Sequence, residues 1–410
     1  MSLRAIAVLI TLIITGCTSV PERPNATACS ETSSSSSDCG NSSFIVLKSE
    51  DEHTDTAIAF VEFNDEGRPF DQSITNAAIN NIEKLNSEDD KSLLIVTFIH
   101  GWNHNAAQTD SNVIEFKKFL RALQKQENTL TVGTPRKVVG LYVGWQGKSS
   151  ESALLRLFSY REKKELALKT GEQSVTDVLK KLSAIRASDS KNRLILVGHS
   201  FGGGLLYSAV KNDLLERLNQ NTQSVKLFGD LVILMNPAIE ANSLKIVHES
   251  LNKLFPACTP LSMVSFTSEA DTALSKEFPR GMRIFYADQL KGDTSDDLLI
   301  TAYGRYGDFS KYELRPDNVN TIDSVLTKEV FRAAIPSWGQ FRSGQSAFNL
   351  GGIKLGYKDS QQQTTTWEPV LNVLVDKSLI QEHNEIWDPK FQYFLRGLIG
   401  MEFAKARQCR

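Results

Sequence analysis

Beyond residue 43, apolar runs of strand length alternate with segments whose apolar positions recur at helical spacing. Residues 93–100, LLIVTFIH, read as the first clear strand, and within 112–126 Val113, Ile114, Phe116, Phe119, Leu120 and Leu123 form one helical stripe. Residues 137–145, KVVGLYVGW, form the next expected strand, followed by a helical stretch to about Arg186. A strand at 193–198, a helix from Phe201 to about Asn219, a strand at 230–236, a helix near 241–255 and a strand at 261–267 continue the alternation. A last strand at 369–375 precedes His383 and an amphipathic helix near 391–405. Strands without polar alternation are covered on both faces, so the pattern predicts an α/β fold with a mostly parallel central sheet and helices on both sides. No internal repeat is present.

The first residues depart from this pattern. Arg4 precedes an apolar stretch from Ala5 to Ile14, too short to span a bilayer, and small residues follow, which is the layout of an export signal. Ile14-Thr15-Gly16-Cys17 resembles a bacterial lipobox, which implies cleavage after residue 16 and acylation of Cys17. An ordinary cleaved signal with an incidental cysteine is the simpler alternative. Thr18 follows the cysteine where Asp would resemble an inner-membrane retention signal, so the expected location is the bacterial cell envelope, with the outer membrane favoured. Residues 17–43 are rich in Ser, Thr, Asn and Pro and should form a lipidated, flexible tether, leaving 44–410 as one folded domain.

Composition narrows the partners. Apolar residues make up 41% of the chain, enough for a sizeable core, and 46 Lys and Arg against 48 Asp and Glu leave a formal charge of −2, giving no electrostatic reason to expect nucleic acid. Cys29, Cys39, Cys258 and Cys409 allow three disulfide pairings that sequence cannot choose among; a local Cys29–Cys39 loop and free thiols both remain open. The scattered Cys and His show no zinc-type spacing.

The strand at 193–198 ends in Gly198-His199-Ser200-Phe201-Gly202 and a helix follows directly. A sharp strand-to-helix turn forces its central residue into a strained backbone and requires small neighbours, so this G-x-S-x-G segment, in this context, has the layout of a nucleophile elbow. On these residues the chain from about Leu93 onward resembles the α/β-hydrolase superfamily, specifically its serine esterase and lipase-like members. The resemblance implies a covalent acyl-enzyme mechanism on carboxylic esters, with an acyl ester substrate and no metal or organic cofactor. Ser200 would be the nucleophile. The family order of Ser, acid, His implies His383 as the base, since it alone of the six histidines follows the last strand. Asp271, just after the strand at 261–267, is the first choice of acid, with Glu269 a close rival and Asp376 a distant one. His100-Gly101-Trp102 resembles the family's oxyanion loop, which implies the amides of Trp102 and Phe201 as oxyanion donors and a structural role for His100. His104, Asn105, Tyr142, Trp145 and Gln146 are candidates for the mouth and wall of the site.

The interval from Asp271 to His383 far exceeds the roughly 25–30 residues that one helix and one strand with short loops need. Its aromatic-rich surplus suggests a cap or an extra lobe around 275–365, an insertion before the last strand. Two other functional classes fit the same residues: a non-catalytic envelope binding or scaffold lipoprotein that retains the fold, and an acyltransferase using the same triad.

Overall fold

The computed structural model describes residues 43–48, 55–64, 66–88, 91–131, 133–145, 170, 174–219, 229–317, 326–358 and 367–405. Cys17, the export segment, most of the tether, Cys29, Cys39, Cys409, His53 and Gln146 lie outside the described residues.

The sheet begins with β1 (Phe44–Leu47) and β2 (Thr56–Glu62), followed by α1 (Gln72–Glu88) and β3 (Leu93–Ile99). Next come α2 (Ser111–Leu130), β4 (Lys137–Gly144), α3 (Thr176–Ser188), β5 (Arg193–His199) and α4 (Phe201–Asn219). Then follow β6 (Leu231–Met235), α5 (Ala241–Ser250), β7 (Met263–Ser268) and α6 (Phe278–Phe285). After β8 (Tyr312–Pro316), α7 (Lys328–Arg342), β9 (Ala347–Leu350) and β10 (Ile353–Tyr357), the chain closes with β11 (Val370–Val375) and α8 (Pro389–Lys405).

The strands lie in the order β1-β2-β4-β3-β5-β6-β7-β11-β8-β10-β9. From β2 across to β8 every neighbouring pair is parallel, whereas β1 at one edge and β10 and β9 at the other are antiparallel to their neighbours. Successive side chains of a strand point to opposite faces. Accordingly Ile58 and Phe60 of β2 join a core with Phe116 of α2, Phe331 of α7 and Phe394 of α8. Ala57, Ala59 and Val61 join a second core with Ile79 of α1, Leu182 of α3 and Leu205 of α4. Both faces of the sheet are therefore covered, which is why the central strands carry almost no polar alternation.

Three features are not read from the sequence. Strands β1 and β2 and helix α1 precede the strand at 93–99, although TAIAFVE is buried along its whole length. The helix expected near 241–255 stops at Ser250, and Phe255 instead forms an isolated antiparallel bridge with Trp367. Third, in the interval expected to hold a cap or extra lobe, β8, α7, β9 and β10 extend the central sheet beyond β11 and share its core. The β9–β10 turn is Gly351-Gly352, with φ of 56° and 83°, as a two-residue hairpin requires. Among the described residues no helix is long and apolar enough to cross a membrane.

Candidate active site

The carboxyl ends of the parallel strands bring the chemistry together. β5 ends at His199, Ser200 takes a φ of 54°, and α4 starts at Phe201. A non-glycine residue in that region costs on the order of 1–3 kcal/mol and persists only where its surroundings impose it. Here the Ser200 amide donates to the Met235 carbonyl at 3.0 Å, and its own carbonyl accepts from Gly203 at 3.0 Å and Ala238 at 3.1 Å. The helix start is pressed against the end of β3: a Cβ on Gly202 would overlap the carbonyl oxygens of Ile99 and His100. Those backbone atoms belong to a strand and its exit and have little room to shift. Gly202→Ala is therefore expected to lower unfolding stability by about 1–3 kcal/mol or more, read as a lower urea midpoint with an unchanged m-value.

His383, on the loop after β11, reaches both partners that the order of residues implies. Its Nε2 lies 2.8 Å from Ser200 Oγ and its Nδ1 lies 2.6 Å from Asp271 Oδ2. A carboxylate can only accept, so Nδ1 carries the proton and Nε2 is left with a lone pair toward the serine hydroxyl. Asp271 is wholly buried, and its second oxygen accepts from the Leu274 amide at 2.8 Å. The imidazole is 17% exposed, so one edge of this chain of hydrogen bonds remains open to a substrate.

The rival carboxylates are engaged elsewhere. Arg315 of β8 lies 3.0 Å from Asp376 and 3.6 Å from Glu269. Asp376 Oδ1 also accepts from the amide and hydroxyl of Ser378 at 2.8 and 2.6 Å. Burial alone would raise the Asp376 carboxyl, but the Ser378 donors and the Arg315 guanidinium hold it below the usual carboxylate range. Of the three acids considered, Asp271 is the one hydrogen-bonded to His383.

The loop after β3 is held by His100. Its ring is fully buried, Nδ1–H donates to the Gly101 carbonyl at 2.8 Å, and Nε2 accepts from the Trp145 amide at 3.1 Å. Burial pushes its pKa down to about 4, so it is a neutral orienting group rather than a proton carrier near neutral pH. Because the peptide is planar and trans, a Gly101 carbonyl turned toward His100 sends the Trp102 N–H the opposite way. A Cβ placed on Gly101 would come 2.9 Å from Ser200 Cβ, and the Trp102 ring packs edge-on to Phe201 at 6.0 Å. Trp102 and Phe201, the residues expected to supply the oxyanion donors, are thus neighbours of the Ser200 elbow.

Several expected wall residues have other duties. Tyr142 is buried and its hydroxyl donates to the Asn105 carbonyl at 3.1 Å, while Trp145 Nε1 donates to the His100 carbonyl at 2.7 Å; both brace the loop from beneath. His104 Nδ1 lies 3.0 Å from Asp110, the N-cap of α2, and Asn105 accepts from the Ala107 amide at 2.9 Å. His248 sits 3.0 Å from the Tyr303 hydroxyl, and burial pushes it down to about 3. Cys258 is half-buried, and among the described residues no group of three or more His, Cys, Asp and Glu is arranged to hold a metal. Asn236 is not singled out by the sequence, although a polar side chain closing the apolar strand LVILM just before Pro237 is the available signal.

No curated protein matches the chain. Among solved structures, the esterase 2 of Thermogutta terrifontis, phosphoramylated by tabun, is 13% identical over 46% of this chain, with a TM-score of 0.25. The match spans 65% of that esterase's own chain. A family model described as an alpha/beta hydrolase of unknown function (DUF900) matches residues 74–278, a span from α1 to α6 that contains His100, Trp102, Ser200, Phe201 and Asp271 and stops short of His383. With half its length matched by that model and a mostly parallel sheet flanked by helices, the chain belongs to this α/β-hydrolase family.

Proposed function

We propose that the protein is a serine hydrolase that cleaves carboxylic esters through an acyl-enzyme. The observation that carries this reading is the continuous hydrogen-bonded path from Ser200 Oγ through His383 to the buried Asp271 carboxylate. Ser200 Oγ attacks the ester carbonyl while His383 Nε2 takes its proton; His383 then returns that proton to the departing alkoxide. Asp271 holds the tautomer and stabilises the imidazolium. The Trp102 and Phe201 amides would receive the oxyanion. Water, activated by His383 in the same way, then attacks the acyl-serine and releases the acid. A fluorophosphonate probe should label the folded protein covalently at Ser200, and short- to medium-chain nitrophenyl esters should be turned over. A folded protein that does neither would refute the reading.

We further propose that Cys17 is acylated and that the substrates are lipid-derived acyl esters met at the membrane that holds the enzyme. The lipobox-like segment before Cys17 supports the anchor. Cys17→Ser should abolish metabolic fatty-acid labelling and leave the unprocessed form; undiminished labelling would remove the anchor from the account.

A further inference from the structure

The imidazole of His383 is held by its reaction partners, but its backbone lies on a loop outside the sheet, between β11 and α8, where no ladder hydrogen bonds fix it. Two side chains converge on that backbone. His199 Nε2 lies 2.9 Å from the His383 carbonyl oxygen, and Asn236 Nδ2 donates to the same oxygen at 2.8 Å. Together they occupy both lone pairs of one carbonyl.

His199 is the last residue of β5, directly before the nucleophile, and is 1% exposed. Among the described residues its buried Nδ1 has no hydrogen-bond partner, so a proton there would be an orphaned donor. The ring is therefore the neutral Nε2–H tautomer, the form that donates to the carbonyl. Burial, reinforced by neighbouring His383, holds its pKa well below the ordinary value.

Asn236 follows β6, is fully buried and has a φ of 42°. Every polar group it carries toward this region has a use. Its amide donates to the Phe266 carbonyl at 2.8 Å, and its Oδ1 accepts from the Ser268 amide at 2.9 Å. Ser268 ends β7, and its carbonyl accepts from the Asp271 amide at 3.3 Å, so Asn236 connects the turn that presents the acid to the loop that presents the base. Ser268 Oγ also donates to the Ile380 carbonyl at 2.6 Å, tying the same loop three residues earlier.

We propose that His199 and Asn236 are positioning residues, a two-donor clamp on the His383 carbonyl that sets the imidazole between Ser200 and Asp271. The inference rests on the hydrolase reading for its kinetic consequence and on the geometry alone for the clamp itself. Neither side chain hydrogen-bonds to a reacting atom, and the His199 ring also packs against the His383 ring with centroids 5.1 Å apart. Both hydrogen-bond the main chain of His383, and misplacement of a catalytic group by about 1 Å can cost about 100-fold in rate.

The test uses the full-length protein with four variants. Asn236→Asp keeps the shape, the acceptor for the Ser268 amide and tolerance of positive φ, and removes the donor once its carboxyl is ionised, so it is assayed as a pH profile carried to alkaline pH. His199→Leu removes the other donor at similar volume, and His199→Gln restores one at the Nε2 position. The fourth variant combines Asn236→Asp with His199→Leu. On a nitrophenyl ester, each single donor loss should lower kcat by about 10- to 100-fold with KM within about twofold, and fluorophosphonate labelling should slow in parallel. His199→Gln should recover to within about threefold of the parent. The combined variant should fall less than the product of the two single effects, because both act through one carbonyl.

Folded Asn236→Asp with kcat within about twofold of the parent across that pH profile would overturn the clamp, and so would fully multiplicative effects in the combined variant. Asn236→Asp carries the test alone if His199→Leu does not fold. A parent protein that neither labels nor turns over esters would sink the hydrolase reading but not yet the clamp. The downfield proton resonance of His383 Nδ1–H then decides: a shifted or broadened signal in Asn236→Asp supports the clamp, and an unchanged one refutes it.

Discussion

Ser200→Ala is expected to abolish fluorophosphonate labelling and to lower kcat on nitrophenyl esters on the order of 10⁶-fold, the scale on which loss of a triad nucleophile acts. The expectation rests on Ser200 Oγ lying 2.8 Å from His383 Nε2 at the start of a helix, where the elbow offers no other hydroxyl. Fold should survive, since the hydroxyl is replaced by hydrogen and alanine occupies the same backbone. A modest stability change is expected because Ser200 already sits at a φ of 54°, where alanine has none of the local hydrogen bonding that eases such strain. The check is a labelling gel and steady-state kinetics on protein whose circular dichroism and urea midpoint are measured in parallel. Retained labelling in the variant would place the reactive nucleophile elsewhere and dismantle the proposed mechanism.

Asp271→Asn is expected to lower kcat on the order of 10⁴-fold with KM little changed. The physical reason lies in the proton on His383. Asp271 Oδ2 stands 2.6 Å from Nδ1 and requires a proton there, whereas an amide group at the same place can present N–H instead. The imidazole would then shift its proton to Nε2, which could no longer accept from Ser200. The oxygen of the introduced carboxamide can still receive the Leu274 amide, so folding is expected to be retained. Glu269→Gln should cost little activity, because that carboxylate is 28% exposed and faces Arg315 rather than His383. If Glu269→Gln were crippling and Asp271→Asn nearly silent, the acid would be misassigned while the Ser200–His383 pair could stand.

Much of the central sheet is legible in the chain because buried parallel strands leave an unmistakable run of apolar residues. The strands at 93–99, 193–199 and 370–375 are read within a residue or so of their ends. Others are not, for physical reasons. β2 is equally apolar but has polar segments on both sides and no helix before it to establish the alternation. β9 and β10 are only 4 and 5 residues long, and the Gly351-Gly352 pair between them reads as a hairpin only once a neighbouring strand is known to exist. The interval read as a cap or extra lobe continues the sheet in its second half: β8 pairs with β11, β10 with β8 and β9 with β10, pairings that sequence periodicity does not report.

The candidate site divides along a similar line. The elbow at Ser200 is written in the order of residues alone, since a glycine-flanked serine between an apolar strand and a helix is a local constraint that needs no distant partner. His383 as the base candidate is legible only with the order of Ser, acid and His that the resemblance implies, since it alone of the six histidines follows the final strand. The choice among Asp271, Glu269 and Asp376 needed the folded chain. All three follow strands on the same sheet edge; in the folded chain Asp271 lies 2.6 Å from His383, while Arg315 of β8, a strand the sequence does not reveal, lies beside the other two. Folding also settles that Tyr142 and Trp145 brace the loop after β3, and that His199 and Asn236 meet at one carbonyl 184 and 147 positions away in the chain. Such convergences depend on strand order and on where each loop leaves the sheet, and side-chain hydrogen bonds across those distances leave no periodic trace in the order of the residues.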